Sequence, residues 1–251
     1  MKTVFLLSPA YCGGRRAGIL LNPASEAVTT REMRAGRLTL GSAFAFMSGL
    51  YFRGKLSYAE RFGEVEIITP TRGLQSPDLR FTIALLREFA VGDVSLDNDE
   101  YRSALERDVI AMSRRVGKHA QVVLLGSVAS GKYVDILLPI LGDRLRYPVS
   151  FAGRGDMSRG GLLLRSAASG VELEYGPLTA GVRPRGPRPP KLDPSTRVAV
   201  SWGHETDRPR ARAPRGIIEP ALAGTPGAKG LDPVVDIRLR ARPRVHRRPQ
   251  S

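Results

Sequence analysis

Hydrophobic and polar positions along the first 180 residues follow two repeats, one typical of strands and one typical of helices. Short apolar runs predict strands at 2–8, 65–69, 121–125, 147–151 and 171–178. Apolar positions at helical spacing predict helices at 40–49, 51–62, 79–89, 100–116, 132–141 and 158–168. Because strands and helices alternate, we expect an α/β fold: a three-layer sandwich with a mainly parallel central sheet.

The chain changes character at residue 181. Residues 181–251 contain 12 of the 19 prolines, and they carry 16 Lys/Arg against 6 Asp/Glu. Proline breaks regular structure, and the apolar residues are too sparse to offset the entropy of ordering the chain. We therefore expect an α/β domain at 1–180 and a mainly disordered basic tail at 181–251. The tail is either an arm that binds nucleic acid or an extension without a function.

Composition and the N-terminus bear on the compartment and on the partner. Cys12 is the only cysteine, so no internal disulfide can form, which fits a reducing compartment. The apolar core of MKTVFLL is four residues, shorter than the roughly 7–15 residues of a secretory signal, and it predicts a first strand. We expect a cytoplasmic protein with no membrane segment. The net charge of +15 favours an anionic partner, although it resides mostly in the tail.

Two loops that follow predicted strands carry candidate chemistry. The loop 8–16 holds Cys12, a candidate nucleophile, and Arg15, a candidate anion ligand. The alternative is a buried, inert thiol beside a flexible turn. The loop 69–78 holds Arg72 beside a glycine, either as an anion ligand or as part of an ordinary polar turn.

The stretch GSVASGKY, residues 126–133, is close to a phosphate-binding loop. Gly126, Gly131 and Lys132 occupy the positions that such a loop requires, but Tyr133 stands where a small hydroxyl would bind Mg²⁺. Nor does an apolar strand ending in aspartate follow within the folded part. An orthodox NTPase is therefore disfavoured, whereas the amides of Ser130, Gly131 and Lys132 remain candidates for holding a phosphate or carboxylate.

The fourth loop, FAGRGDMSRGG at 151–161, combines glycines with charges ahead of a helix. Asp156 is a candidate general base or base-edge acceptor, and Arg154 and Arg159 can clamp a phosphate. The alternative is a helix cap with a salt-bridged turn. No spacing in the chain identifies a metal site or a cofactor.

The segment LYFRGKLSYAERFGEVEIITPTRGLQSPD, residues 50–78, resembles the signature of a bacterial and phage family catalogued as peroxide stress protein (YaaA)-like. The matching positions are Leu50, Tyr51, Phe52, Tyr58, Ala59, Gly73, Leu74, Pro77 and Asp78, and Tyr133 agrees with the family's later strand–Gly–Tyr–helix segment. The chain departs from the family at Arg15 and Arg72, where lysine-containing turns are usual. The resemblance implies an α/β fold related to uracil-DNA-glycosylase-like domains, but the glycosylase motifs themselves are missing.

Three functions follow from these features. The first is binding of a nucleotide or of a nucleic-acid base and phosphate, with base modification or stress response as the setting. The second is a non-enzymatic nucleic-acid-binding protein that uses its basic tail. The third is a degenerate P-loop NTPase. Enzyme and binding protein both stay open.

Overall fold

The structure, a computed structural model, describes residues 2–129, 131–179, 186–187, 190 and 192–193. Within these residues six strands form one sheet: β1 Thr3–Leu7, β2 Glu64–Ile68, β3 Leu74–Gln75, β4 Gln121–Leu125, β5 Leu145–Pro148 and β6 Tyr175–Pro177. The same part of the chain has eight α-helices: α1 Arg15–Leu21, α2 Val28–Arg34, α3 Leu40–Ser48, α4 Leu50–Phe62, α5 Ile83–Val91, α6 Asp99–Val116, α7 Gly131–Leu141 and α8 Asp156–Ser169. The expected α/β class is confirmed.

The sheet is mixed, with the strand order β3-β2-β1-β4-β5-β6. The four inner strands, β2, β1, β4 and β5, run parallel, and the short outer strands β3 and β6 pair antiparallel to their neighbours. Leu7 at the end of β1 lies opposite Ile67 of β2 and Leu125 of β4. The carboxyl ends of the parallel strands therefore share one edge of the sheet.

Side chains of the central strands alternate between two apolar clusters. Phe5 and Leu7 of β1 pack in a cluster to which α3, α4, α5 and α8 contribute, whereas Val4 and Leu6 pack in a second cluster with α6 and α7. This alternation follows from the two-residue repeat of a strand. It explains why β1 and β4 read as continuous apolar runs, since both of their faces are buried.

Most predicted elements are present, and the differences lie in short segments. Helix α6 agrees best with its prediction: the Asn98 side chain caps its first turn and Gly117, with φ of +82°, ends it. The structure adds α1, α2 and β3, which the apolar pattern did not predict. The strand expected at 147–151 instead occupies Leu145–Pro148 and is followed by a 3₁₀ turn.

Helices α4 and α8 cross at two glycines. A Cβ atom on Gly54 would lie 2.6 Å from the carbonyl oxygen of Gly160, and one on Gly160 would lie 2.8 Å from that of Leu50. Only residues without a Cβ allow the backbones to approach so closely. The crossing holds the first turn of α8 beside the first half of α4.

Most of the segment 181–251 lies outside the described residues, so the disordered basic tail stays a prediction. Two short described segments of this region contact the domain. The Nη2 atom of Arg165 donates to the Asp193 carbonyl at 2.8 Å. The carbonyls of Gly186 and Pro187 lie against Gly153. Among the described residues, no helix has both the length and the apolar character that a bilayer crossing demands.

Candidate functional site

The sheet has a topological switch point between β1 and β4. The chain leaves β1 toward β2 on one side and leaves β4 toward β5 on the other, and parallel α/β sheets commonly bind ligands outside the carboxyl ends of the strands at such a point. The first residues after these strands, Ser8 and Gly126, are adjacent: the Ser8 amide donates to the Leu125 carbonyl at 3.2 Å. A Cβ on Gly126 would lie 2.9 Å from the Ser8 Cβ, so the close approach requires glycine.

A buried lysine lies under this switch point. Lys55 of α4 is 1% exposed, and its Nζ donates to the Ser8 carbonyl at 2.6 Å and to the Ser8 Oγ at 2.9 Å. The rings of Tyr51 and Phe52 lie with their centroids 4.7 and 4.6 Å from Nζ. Among the described residues no carboxylate forms an ion pair with it. Lys55 is thus an amine enclosed by one serine and two aromatic rings.

Burial changes the proton affinity of this amine. Loss of hydration lowers the pKa of Lys55 from 10.5 to about 7, and the negative charge of Asp156 opposes this effect only in part. The uncharged form of Lys55 is therefore far more accessible near neutral pH than that of an ordinary lysine. An uncharged amine can accept a proton or attack an electrophile, whereas an ammonium group can do neither.

The first turn of α8 brings two charged residues toward the lysine. Asp156, the first residue of α8, has a side chain that is 71% exposed, and the Arg159 side chain is 15% exposed. The hydroxyl of Tyr51 is buried, and no described residue forms a hydrogen bond of good geometry with it. Burial raises the pKa of Tyr51 to about 12, although the nearby Arg159 guanidinium favours ionisation. Tyr51 is thus protonated, and its ring faces the Lys55 amine.

The loop 126–132 lies at the predicted edge, but its lysine and tyrosine differ from a phosphate-binding loop. The Lys132 Nζ lies 5.4 Å from the centre of the Tyr133 ring, and Tyr133 is buried, which raises its pKa. The Asp135 carboxylate lies against Gly131, so a negative charge already sits beside the loop. Ser130, the remaining candidate, lies outside the described residues.

The arginines of the loop 151–161 hold the loop itself. Arg154 donates to the Ser150 carbonyl at 3.0 Å and to the Ser158 Oγ at 3.1 Å. Arg159 donates to the Phe151 carbonyl at 3.2 and 3.3 Å and lies over the Phe151 ring. The expected side-chain cap is absent, because Gly155 occupies the N-cap and no side chain caps the helix, and the salt bridge of the turn is the Arg159–Asp156 pair at 3.9 Å. Binding of a phosphate here would have to compete with the contacts of the two arginines.

Arg72 and Cys12 lie in environments that do not favour the predicted roles. Arg72 forms a two-pronged ion pair with Glu88 of α5, at 2.7 and 2.6 Å, so its charge is neutralised by the neighbouring helix. Cys12 is 3% exposed and packs in the core, where loss of hydration raises its pKa to about 12. The thiol is therefore protonated and covered, as in the inert alternative.

Arg15 lies beside a surface cavity. The cavity, of about 370 Å³, is formed by the loop after β1, the start of α1 and the end of α3. Tyr11, Arg15 and Arg16 line it, and the Tyr11 ring is 79% exposed. Arg16 also donates to the Phe46 carbonyl at 2.8 Å. Lys55 and Asp156 do not line this cavity, so it is separate from the space around the buried amine.

Sequence reasoning missed Lys55, Ser8 and Tyr11. The signal for Lys55 was present: Tyr51, Lys55, Tyr58 and Phe62 are spaced by four, three and four residues, so the lysine occupies an apolar position of an amphipathic helix. A charged residue at such a position is almost never fully buried unless it is paired.

The described residues contain no group of three or more His, Cys, Asp and Glu side chains that could hold a metal ion. Comparison with known proteins finds no match to this chain among protein-family models, curated proteins or solved structures.

Proposed function

We propose that the domain binds a nucleotide, or a base and phosphate of a nucleic acid, at the sheet edge where β1, β4 and β5 end. Apolar clusters lie on both faces of the central strands, which supports a three-layer arrangement with helices on each side of the sheet. In folds of this kind, ligands bind at the edge where the parallel strands end. As part of this proposal, the domain is related to the YaaA-like family and acts in the cytoplasm.

The observation that carries the proposal is the cavity lined by Tyr11, Arg15 and Arg16. An exposed aromatic ring next to guanidinium groups offers a base a surface for stacking and a phosphate two cations. A volume of about 370 Å³ lies within the usual range for small-molecule sites. The loop that carries Tyr11 begins at Ser8, next to the switch point where ligands of parallel α/β sheets gather.

Two variants test the proposal against a matched control. Binding of AMP, ATP and a short single-stranded oligonucleotide is measured by calorimetry for the full chain, for Tyr11→Ala and for Arg15→Ala. Loss of stacking is worth about 1–3 kcal/mol per base, so Tyr11→Ala is expected to weaken binding by about tenfold or more. Arg114→Ala removes the same charge as Arg15→Ala from an exposed position at the end of α6 and should leave binding unchanged.

The result is decisive in either direction. Absence of binding to all three ligands would refute the proposal. Equal weakening by Arg15→Ala and Arg114→Ala would show that binding is a diffuse charge effect instead of a defined site.

A second candidate, nucleic-acid binding through residues 181–251, is favoured by the excess of 16 Lys/Arg over 6 Asp/Glu in that segment. Counterion release makes such binding fall steeply with salt. Under this alternative the oligonucleotide affinity would drop by orders of magnitude between low and moderate salt, and Tyr11→Ala would not change it.

The NTPase alternative has the least support. A P-loop needs a small hydroxyl after its lysine to bind Mg²⁺, and the Tyr133 side chain at that position is 4% exposed and packs in the cluster with α6 and α7. Steady ATP or GTP turnover that is lost in Lys132→Ala would revive it.

A further inference from the structure

The buried amine of Lys55 has no part in the cavity around Tyr11, and its surroundings suit a different chemistry. We propose that Lys55 is a nucleophilic amine that takes a small aldehyde or ketone, forming an imine at the carboxyl ends of β1 and β4. This inference goes beyond nucleotide binding and does not depend on it.

The first support is the position of the amine. Parallel α/β sheets bind ligands outside the carboxyl ends of their strands at the switch point. The Lys55 Nζ reaches that point from α4, and the Ser8 carbonyl and Oγ fix it there at 2.6 and 2.9 Å. The two contacts orient the nitrogen, and neither is an ion pair that would keep it protonated.

The second support is the hydroxyl of Tyr51. Tyr51 is 8% exposed, and its ring centroid lies 4.7 Å from the Lys55 Nζ. The nearby Arg159 guanidinium can only donate to the hydroxyl oxygen, and no described residue accepts the hydroxyl proton. A buried donor without an acceptor is costly, so its presence points to a ligand atom that completes its bonding. The oxygen of a carbonyl compound on Lys55 would supply that acceptor.

The third support is that the buried basic residue is a lysine instead of an arginine. The chain has 33 arginines and six lysines, yet among the described residues the buried basic side chain is a lysine. Arginine remains protonated in proteins, whereas a desolvated lysine loses its proton readily. The charged groups that act on this amine and on its neighbour Tyr51 are Asp156 and Arg159 of α8. Asp156 favours the ammonium form, but burial dominates and leaves a large neutral fraction near pH 7.

The reaction balances without an added oxidant or reductant. The lone pair of the neutral amine attacks the carbonyl carbon, and one amine proton passes to the carbonyl oxygen to give a carbinolamine. The second amine proton and the hydroxyl group leave as water, and a carbon–nitrogen double bond remains. Tyr51 would donate a hydrogen bond to the oxygen as it leaves. Addition of water reverses each step.

Reductive trapping on the full chain tests the inference. The protein is incubated with formaldehyde or with glyceraldehyde in the presence of cyanoborohydride at about pH 6.5, and the modified lysines are identified by peptide mass spectrometry. An ordinary lysine is neutral in well under about 0.1% of molecules at this pH, against roughly a quarter for a pKa near 7. Although burial slows entry, we expect at least about tenfold more modification at Lys55 than at exposed Lys118 by each aldehyde.

Two variants separate reaction from structure. Lys55→Arg keeps the cation but cannot form an imine, so trapping at this position should vanish. Tyr51→Phe keeps the ring and should lower the trapping rate at Lys55 several-fold while leaving Lys118 unchanged. If either variant fails to fold, the peptide map of the unsubstituted chain still decides.

Modification of Lys55 no greater than that of Lys118 would overturn the inference. So would modification by formaldehyde alone, because the surroundings of the amine would then not admit a substrate-sized carbonyl compound. Unchanged trapping in folded Tyr51→Phe would overturn the role assigned to the hydroxyl.

Discussion

Replacement of Lys55 by methionine should change how the stability of the protein depends on pH. Methionine is similar in length and carries no charge, so it removes the titrating group while largely filling its space. In the folded protein burial lowers the pKa of Lys55 to about 7, whereas the unfolded chain has the ordinary value of 10.5. The unfolded state therefore binds more protons between these two values, and the stability contributed by Lys55 rises as the pH increases from 7 to 10.5.

The size of the effect follows from the same two values. At pH below 7, a desolvated ammonium destabilises the fold by about 5 kcal/mol relative to a neutral amine, since each tenfold change in proton affinity is about 1.4 kcal/mol. Between about pH 6 and about pH 9, the unsubstituted protein should gain about 3 kcal/mol from this residue. Lys55→Met should lack this gain.

Urea unfolding at these two pH values measures the difference, because titration of all other groups cancels between the two proteins. The variant also loses the donor to Ser8, which costs about 1–3 kcal/mol at every pH and so does not affect the comparison. Lys118→Met, at an exposed position, serves as the control and should preserve the pH dependence. If Lys55→Met and the unsubstituted protein show the same pH dependence, Lys55 is not a desolvated amine and the reasoning fails.

Two further predictions concern packing and the thiol. Gly54→Ala should destabilise the protein by about 1–3 kcal/mol in urea unfolding, because the new methyl group would meet the Gly160 carbonyl oxygen at 2.6 Å. The control is Gly18→Ala in α1, where nothing lies within 4 Å of the new Cβ, and it should be neutral or stabilising. Equal losses of unfolding free energy in the two variants would contradict the close crossing of α4 and α8. Cys12 should react slowly with a disulfide reagent at about pH 8, because the thiol is buried and its pKa is raised to about 12. We expect its reaction rate in the native protein to be at least about a hundredfold lower than in urea. Rapid reaction in the native protein would return Cys12 to the candidate nucleophiles.

The apolar repeats predicted the long elements well because each of these segments buries one or two complete faces. The repeats predicted helices α3, α4, α6, α7 and α8 and strands β1, β2 and β4 within about two residues. Helices α1 and α2 escaped prediction because each has seven residues, with only two of them buried. A stripe of two residues is too short to reveal a helical repeat.

The candidate site was predicted less well because residue type alone does not reveal a partner. The sequence correctly indicated that the loops at Cys12, Arg72, Lys132 and Asp156 follow parallel strands. It could not show that Glu88 neutralises Arg72 or that the core covers Cys12. Nor could it show that Lys55 and Ser8, 47 residues apart, form hydrogen bonds.

The sequence by itself determined the α/β class, the boundaries of the long elements and the edge at which loops gather, because strand and helix periodicities are local properties of the chain. Only the tertiary structure decided which charges are paired, which are buried and which remain open to a ligand. The physical reason is that hydration and ion pairing depend on atoms brought together from distant parts of the chain. Lys55 illustrates this: an ordinary lysine in the sequence acquires an uncharged form near neutral pH when α4 packs beneath the end of β1.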